Sequence, residues 1–266
     1  MANLSYRIIG MAMEVHSALG PGLDEVFYHE LLSEKLRAAG IEHEFKPRGH
    51  LMHRGAVADT FEPDLVFPNE LVAELKVSKE GFVPENLAQL FSYLKFRKLT
   101  QGLLLNFGRQ SLEERFHTFN PPPPTPLKVE QLVASATPYV PESSLLGEVC
   151  AAILRVYHEF GLGYCDTTYR GLLPIEFNSI GLSCSTNPVG SVRYAGRLLG
   201  ETRFNCLVVS QTCAVEVTAL RDHIYAPDRA VLQTALRHLD LPWGVIVNFG
   251  KSSLEFNGVT RPGKSV

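Results

Sequence analysis

Three side chains in the first half of the chain have the types and spacing to do chemistry on a phosphate ester. They lie in EPDLVFPNELVAELKV, residues 62–77. If the chain reverses at Pro68-Asn69-Glu70, Asp64 and Glu74 stand five residues either side of Asn69. They then come opposite one another on paired strands, where opposed positions share a face. Lys76, two residues after Glu74, points to that same face. Paired carboxylates repel and raise one another's pKa, and a hard divalent cation removes that cost. Mg²⁺ or Mn²⁺ held there would activate a water and stabilise charge developing on phosphorus, with the lysine orienting the water or neutralising phosphoryl oxygens. The plainer reading is a solvent face carrying a weak Asp64–Lys76 cross-strand ion pair. Against it, Glu74 and Lys76 alternate within the apolar run Leu71, Val72, Ala73, Leu75 and Val77.

Helical and strand periods predict the elements that must position this trio. Residues 5–18 space Ile8, Ile9, Met11, Ala12, Val15 and Ala18 as a helix, stopped by Gly20-Pro21-Gly22. A second helix is expected from about Asp24 to Ala39, with Gly40 as its cap. Residues 41–52 read as a strand, 57–67 and 71–77 as a hairpin, 84–98 as a helix and 102–107 as a buried strand. The order α-α-β-β-β-α-β fits a mixed sheet flanked by helices.

The sequence also repeats. Residues 106–113 read NFGRQSLE and residues 248–255 read NFGKSSLE, identical at six of eight positions at a shift of 248 − 106 = 142. The same shift pairs His16 with His158 and Glu74 with Glu216. A shift of 141 pairs Gly20, Gly22, Tyr28, Gly40, Pro47 and Gly55 with Gly161, Gly163, Tyr169, Gly181, Pro188 and Gly196. This is a tandem duplication, and the expected organisation is 1–118, a proline-rich semi-rigid linker at 119–144, and 145–266. The acidic trio does not survive it. Asp64 maps to Cys206 and Lys76 to Thr218, and only Glu74 keeps its counterpart. Cysteine is a poor ligand for a hard cation, so the second copy is expected to be a degenerate, structural repeat, pairing with the first as an intramolecular pseudo-dimer. Histidines and tyrosines retained in both copies are expected to be structural.

Pro63-Asp64 followed by Glu74-Leu75-Lys76 resembles the PD-(D/E)XK nuclease motif. Gly22-Leu23-Asp24-Glu25-Val26-Phe27-Tyr28, after VHSALGPG, resembles the bacterial GxxExxY family of that superfamily, and Gln89 with Tyr93 resembles its Q-x-x-x-Y motif. The resemblance covers residues 5–118. It implies an α/β fold of two restriction-endonuclease-like units, each a mixed central sheet flanked by helices. It implies Mg²⁺ (or Mn²⁺) on Asp64 and Glu74, with the Leu75 carbonyl as a further ligand, and Lys76 as the catalytic lysine. Glu25 would be an accessory acid, and Gln89 and Tyr93, four apart on one helix face, would line the site. In the second copy Glu25, Gln89 and Tyr93 become Asp166, Val231 and Ala235.

Composition sets limits. With 45% hydrophobic and 20% charged residues the chain should bury a core. No apolar run reaches the roughly 20 residues of a membrane span, and the N-terminus does not read as a signal peptide. A cytoplasmic protein is expected. Five cysteines, none in a C-x-x-C pair, read as buried thiols. A net charge of −3 does not advertise nucleic-acid binding. Lys95, Arg97 and Lys98, or Arg193, Arg197 and Arg203, could still contact phosphates or be ordinary surface charges. The reading is a metal-dependent nuclease acting on DNA ahead of RNA through the first copy. The alternatives are a non-catalytic nucleic-acid or protein binding module and a small-molecule phosphoesterase.

Overall fold

The computed structural model describes residues 4–250 and 252–261. Residues 1–3, Lys251 and 262–266, which the repeat boundaries include, lie outside that range. The first repeat runs α1 (Leu4–Leu19), α2 (Glu25–Ala38), β1 (Glu44–Phe45), β2 (Gly49–His53), β3 (Ala56–Phe61), β4 (Leu65–Phe67), β5 (Leu71–Lys76), α3 (Pro84–Arg97), β6 (Gln101–Asn106) and β7 (Glu113–Thr118). Its main sheet has the order β1-β4-β5-β6-β7, with β5 and β6 parallel and every other pair antiparallel.

The second repeat has the same plan. After α4 (Val129–Ala136) come α5 (Ser144–Phe160), α6 (Asp166–Ser179), β8 (Cys184–Thr186), β9 (Val189–Tyr194), β10 (Arg197–Arg203), β11 (Leu207–Val209), β12 (Cys213–Ala219), α7 (Ala226–His238), β13 (Trp243–Phe249) and β14 (Leu254–Thr260). Its sheet order is β14-β13-β12-β11-β8, again with one parallel pair, β12 and β13. Each repeat is therefore a mixed sheet between helices.

In the first unit Leu71, Ala73 and Leu75 of β5 and Leu103 and Leu105 of β6 pack against Ile8, Ala12 and Val15 of α1 and Tyr28, Leu32 and Leu36 of α2. The alternation of strand side chains sends Val72, Glu74 and Lys76 to the opposite face, where α3 packs on β5 and β6. Gly102 lies on that second face. A Cβ there would come within 2.7 Å of Leu90 in α3, so only glycine lets the helix sit so close.

The residues shared by the two repeats hold turns and strand ends. The Tyr28 hydroxyl donates to the Gly20 carbonyl at 2.6 Å and accepts from Leu23 N at 3.1 Å. Tyr169 does the same with Gly161 O, at 2.6 Å, and Tyr164 N, at 3.4 Å. Each tyrosine thus locks the glycine turn that starts the next helix, and stacks on the phenylalanine of its own NFG segment, Phe107 or Phe249. Asn106 Oδ1 accepts from Ser78 N and Gly108 N, and its Nδ2 donates to Ser78 O, all within 3.0 Å. A Cβ on Gly108 would lie 2.4 Å from Ser78 N. In the second repeat Asn248 keeps the donor half of this contact, its Nδ2 bonding the Arg221 carbonyl at 3.1 Å, so in both repeats the asparagine ties the end of one parallel strand to the segment after the other. His16, whose Nε2 lies 2.9 Å from the Arg109 carbonyl, belongs to the same framework.

Three expectations differ from what is found. The strand expected at 41–52 is broken at Lys46 (φ 47°) and Pro47, which lacks an N–H for the ladder. The strand expected at 57–67 is two strands in different sheets, separated by Glu62-Pro63-Asp64. The intervening β2–β3 hairpin forms a sheet of its own, as does β9–β10. The stretch expected as a semi-rigid linker is irregular at 121–128 but helical at 129–136, where Val129, Leu132, Val133 and Ala136 return at helical spacing and Leu132 and Ala136 are buried.

Compactness does not follow the repeat boundary everywhere. Residues 1–51 and 60–120 cluster as one unit, and 52–59, the tip of the first hairpin, cluster with 121–266. The second unit contains a buried ionic network. Glu176 of α6, fully enclosed, accepts from His53 Nε2 at 2.9 Å, from Arg54 Nε at 2.6 Å and Nη2 at 3.1 Å, and from Arg155 Nε. Burial alone would raise this carboxyl, but bonds from Arg54, Arg155 and His53 outweigh it and hold the pKa down to about 2. A depressed carboxyl stabilises the fold fully above its unfolded value near 4.5 and loses that contribution as pH falls through about 2. Glu176→Gln is expected to cost about 2–3 kcal/mol at neutral pH, the scale of charge-assisted bonds. Urea melts should show its difference from the parent narrowing between about pH 4.5 and 2; a difference constant over that range would deny the network this role.

Candidate metal centre

The break at Glu62-Pro63-Asp64 and the β4–β5 register bring the acidic residues together. Leu65 pairs with Ala73, Val66 with Val72 and Phe67 with Leu71, so each pair sums to 138. One step further, 64 + 74 gives the same sum, and Asp64 stands beside Glu74. The contact is reciprocal. Asp64 N donates to Glu74 Oε1 at 2.9 Å, and Leu75 N donates to Asp64 Oδ2 at 2.8 Å. Lys76 Nζ donates to Glu74 Oε2 at 3.3 Å. Asp64 and Glu74 are both buried, with Lys76 partly so.

The helix α2 adds two more groups. Its first residue is Glu25, and His29 follows one turn later on the same face. His29 Nε2 lies 3.1 Å from Asp64 Oδ2 and 3.7 Å from Glu25 Oε1. Although the contact with Asp64 is short, neither ring nitrogen of this fully buried imidazole has a well-directed hydrogen bond. One ligand atom each from Glu25, His29 and Asp64 falls within 4.8 Å of the others, the one such acidic or histidine group among the described residues. Glu74 stands outside that set, turned to Asp64 N and to Lys76.

The charges are strongly coupled. Burial would raise Asp64, but His29, the Leu75 N–H and Lys76 together hold it below the usual carboxylate range. Glu74 goes the other way: burial first, then the Asp64 charge, push it up to about 8 against the pull of Lys76. Burial works to lower Lys76, yet the charges of Glu74, Asp64 and Glu25 raise it above its ordinary value. A buried carboxyl driven towards its neutral form by a neighbouring carboxylate is the situation a bound cation relieves.

Gln89 and Tyr93 bond to each other, Gln89 Nε2 donating to the Tyr93 hydroxyl at 2.9 Å. They lie on α3, the helix covering the face of β5 that bears Glu74 and Lys76. Glu25, Asp64, Glu74 and Lys76 are thus gathered in one place. His29 was not anticipated from the sequence. Its i, i+4 spacing from Glu25 was visible, but nothing in the spacing says which side chain of α2 meets the strand end.

The second repeat keeps acids at two of these positions, Glu216 for Glu74 and Asp166 for Glu25, and replaces the rest. Cys206 joins a cluster with Val208, Ala214, Leu232 and Ile246, and burial pushes its thiol up to about 12. Thr218 brings no charge. By the shift of 141, Arg170 stands where His29 stands, and its Nη2 donates to Asp166 Oδ2 at 2.8 Å.

The sequence model of the PD-(D/E)XK nuclease superfamily matches residues 2–119 and again residues 143–261. The chain belongs to the PD-(D/E)XK nuclease superfamily. Both repeats carry its fold, and PD-(D/E)XK nucleases generally use divalent metals. No curated protein matches this superfamily member. A solved structure titled "Crystal structure of SSO0001" covers 51% of this chain and 76% of its own, at 12% identity and a TM-score of 0.28. Among the described residues no helix is long and apolar enough to cross a membrane.

Two carboxylates and an imidazole whose nitrogens lack aligned partners fit a divalent cation. Mn²⁺ at a hundredfold over its Kd should stabilise the chain by about 2.7 kcal/mol, read as a rise in Tm. His29→Ala and Asp64→Asn should each erase the rise. An equal rise in both variants would place the ion elsewhere.

Proposed function

We propose that the first repeat, residues 1–118, is a metal-dependent nuclease that hydrolyses phosphodiester bonds, with DNA as substrate ahead of RNA. The observation that carries this reading is the convergence of Glu25, His29 and Asp64 within 4.8 Å, next to the Glu74–Lys76 pair. The GLDEVFY segment supports assignment to the GxxExxY branch of the superfamily.

Asp64, His29 and Glu25 would hold the cation, with Glu74 joining when its proton leaves. An imidazole among the carboxylates favours Mn²⁺ over Mg²⁺, which prefers an all-oxygen shell. The cation, when bound, supplies positive charge to phosphoryl oxygens and lowers the pKa of water. Everything else falls to the chain. Glu74 restrains the Lys76 ammonium, which neighbouring acids keep protonated, so it arrives at the scissile phosphate as a fixed positive charge. Gln89 and Tyr93 present an amide and a hydroxyl from α3 for orienting the strand. The second repeat, with a neutral buried thiol and a threonine at the corresponding places, takes no part in cleavage.

Asp64→Ala and Lys76→Ala are each expected to lower Mn²⁺-dependent cleavage of linear and circular DNA by at least about 10²-fold, the scale of losing one pre-organised electrostatic group. The far-ultraviolet spectrum should not change. Cleavage by either variant at the parental rate removes the assignment. Metal binding without cleavage of any single- or double-stranded substrate would instead favour a binding module that has kept the fold.

A further inference from the structure

The second repeat has a cavity of about 320 Å³, lined by Thr167, Arg170, Gly171, Thr186, Asn187, Asn205 and Leu207. Its walls can be compared with the first repeat because the backbones correspond closely. Phe45 pairs with Leu65 as Thr186 pairs with Leu207. Lys46 and Asn187 both have positive φ, 47° and 49°, and their N–H groups donate to the carbonyls of Asp64 and Cys206. The shifts of 141 and 142 then relate Val26 to Thr167, His29 to Arg170, Phe45 to Thr186, Lys46 to Asn187 and Pro63 to Asn205.

These changes run in one direction. Apolar or charged side chains give way to hydroxyls and amides, and the imidazole gives way to a guanidinium. In the first repeat the Phe45 ring stands edge-on to His29, with centroids 6.5 Å apart. In the second, a threonine takes that position and leaves room. Drift that only erased a catalytic site would have no reason to convert its flank into a hydrogen-bonding wall. Gly171 has a separate cause, since a Cβ there would lie 1.9 Å from the Ala58 carbonyl.

Arg170 is the cationic member of the wall. One of its terminal nitrogens serves Asp166, but its Nε is enclosed and has no hydrogen-bond partner. Glu216 does not fully cancel it, because burial pushes that carboxyl up to about 7, where it is only partly ionised at neutral pH.

We propose that this cavity binds a phosphate group, with Arg170 opposite the oxyanion and Thr167, Thr186, Asn187 and Asn205 as neutral partners. A planar guanidinium with threonine and amide donors matches the many acceptor oxygens of a phosphate. A volume of about 320 Å³ exceeds inorganic phosphate and lies at the small end of ligand pockets, leaving space for an attached sugar. The phosphate comes either from a free nucleotide or from the backbone of a nucleic-acid strand. The proposal does not rest on cleavage by the first repeat.

The test uses the full chain carrying Asp64→Asn, with EDTA present, so that neither metal binding nor cleavage contributes. Inorganic phosphate, dAMP and a twelve-residue oligothymidylate without terminal phosphates are titrated by calorimetry. The expected result is saturable binding of dAMP, weakened at least tenfold by Arg170→Lys. Thr186→Phe, which installs the side chain found at the equivalent position 45, should abolish binding without lowering Tm. Binding of dAMP and not of the oligomer identifies a nucleotide site, and binding of the oligomer identifies a strand-phosphate site. Failure of the parent to bind all three probes, or binding that survives either substitution, overturns the proposal.

Discussion

The exchange between the backbone of one strand and the side chain of the other, Asp64 N to Glu74 Oε1 and Leu75 N to Asp64 Oδ2, is the constraint on which the candidate centre depends. A carboxylate buried beside a second carboxylate is costly unless its oxygens are satisfied. These two backbone N–H groups satisfy one oxygen on each, and Lys76 serves the remaining oxygen of Glu74. They are free to do so because the β4–β5 ladder reaches only to Leu65 and Ala73, short of them both. The strand break is therefore what turns an ordinary hairpin into a platform for charge.

That platform needs a lid, and α2 provides it by way of the glycine turn. Tyr28, bonded to Gly20 and Leu23 and stacked on Phe107, fixes where the helix begins. Glu25 and His29 flank Tyr28 on the helix and so arrive together at the strand end. The NFG segment that ends β6 and follows it supplies Phe107 to this contact and Asn106 to the neighbouring strand end. The positions most alike between the repeats are thus those that set the geometry, and they persist where the chemistry has gone. The second repeat meets the same burial problem differently. It replaces Asp64 by a buried thiol and carries Arg170 in place of His29, so one framework holds an acid-rich centre in one repeat and an arginine-bearing one in the other.

Much of this was legible in the sequence because it depends on short-range rules. The period-two alternation of Leu71–Val77 and a turn centred at Asn69 fixed the register that brings Asp64 to Glu74, since antiparallel pairing around a known turn leaves no other choice. Helix positions followed from the spacing of Ile8, Ala12 and Val15 and from Leu32 and Leu36. The β2–β3 hairpin was missed because its apolar residues, Leu51, Met52, Ala56, Val57, Ala58 and Phe61, follow no clean alternation and only Phe61 among them is buried, so no apolar pattern sets the hairpin apart from neighbouring strands. The edge strand β7, with the exposed pattern of EERFHT, was missed for the same reason.

What the sequence by itself determined was the duplication, the pairing of two carboxylates with a lysine, and the loss of that trio in the second repeat. These are local or periodic properties, written in residue types at fixed spacing. Only the tertiary structure decided that His29 meets Asp64, that Glu74 turns to Lys76 and not into the Glu25–His29–Asp64 set, and that Arg170 stands beside an open cavity. Those outcomes depend on how a helix is set against a sheet, and that is fixed by the packing of Tyr28, Leu32 and Leu36 over β5 and β6, residues far apart in the chain whose mutual fit no spacing records.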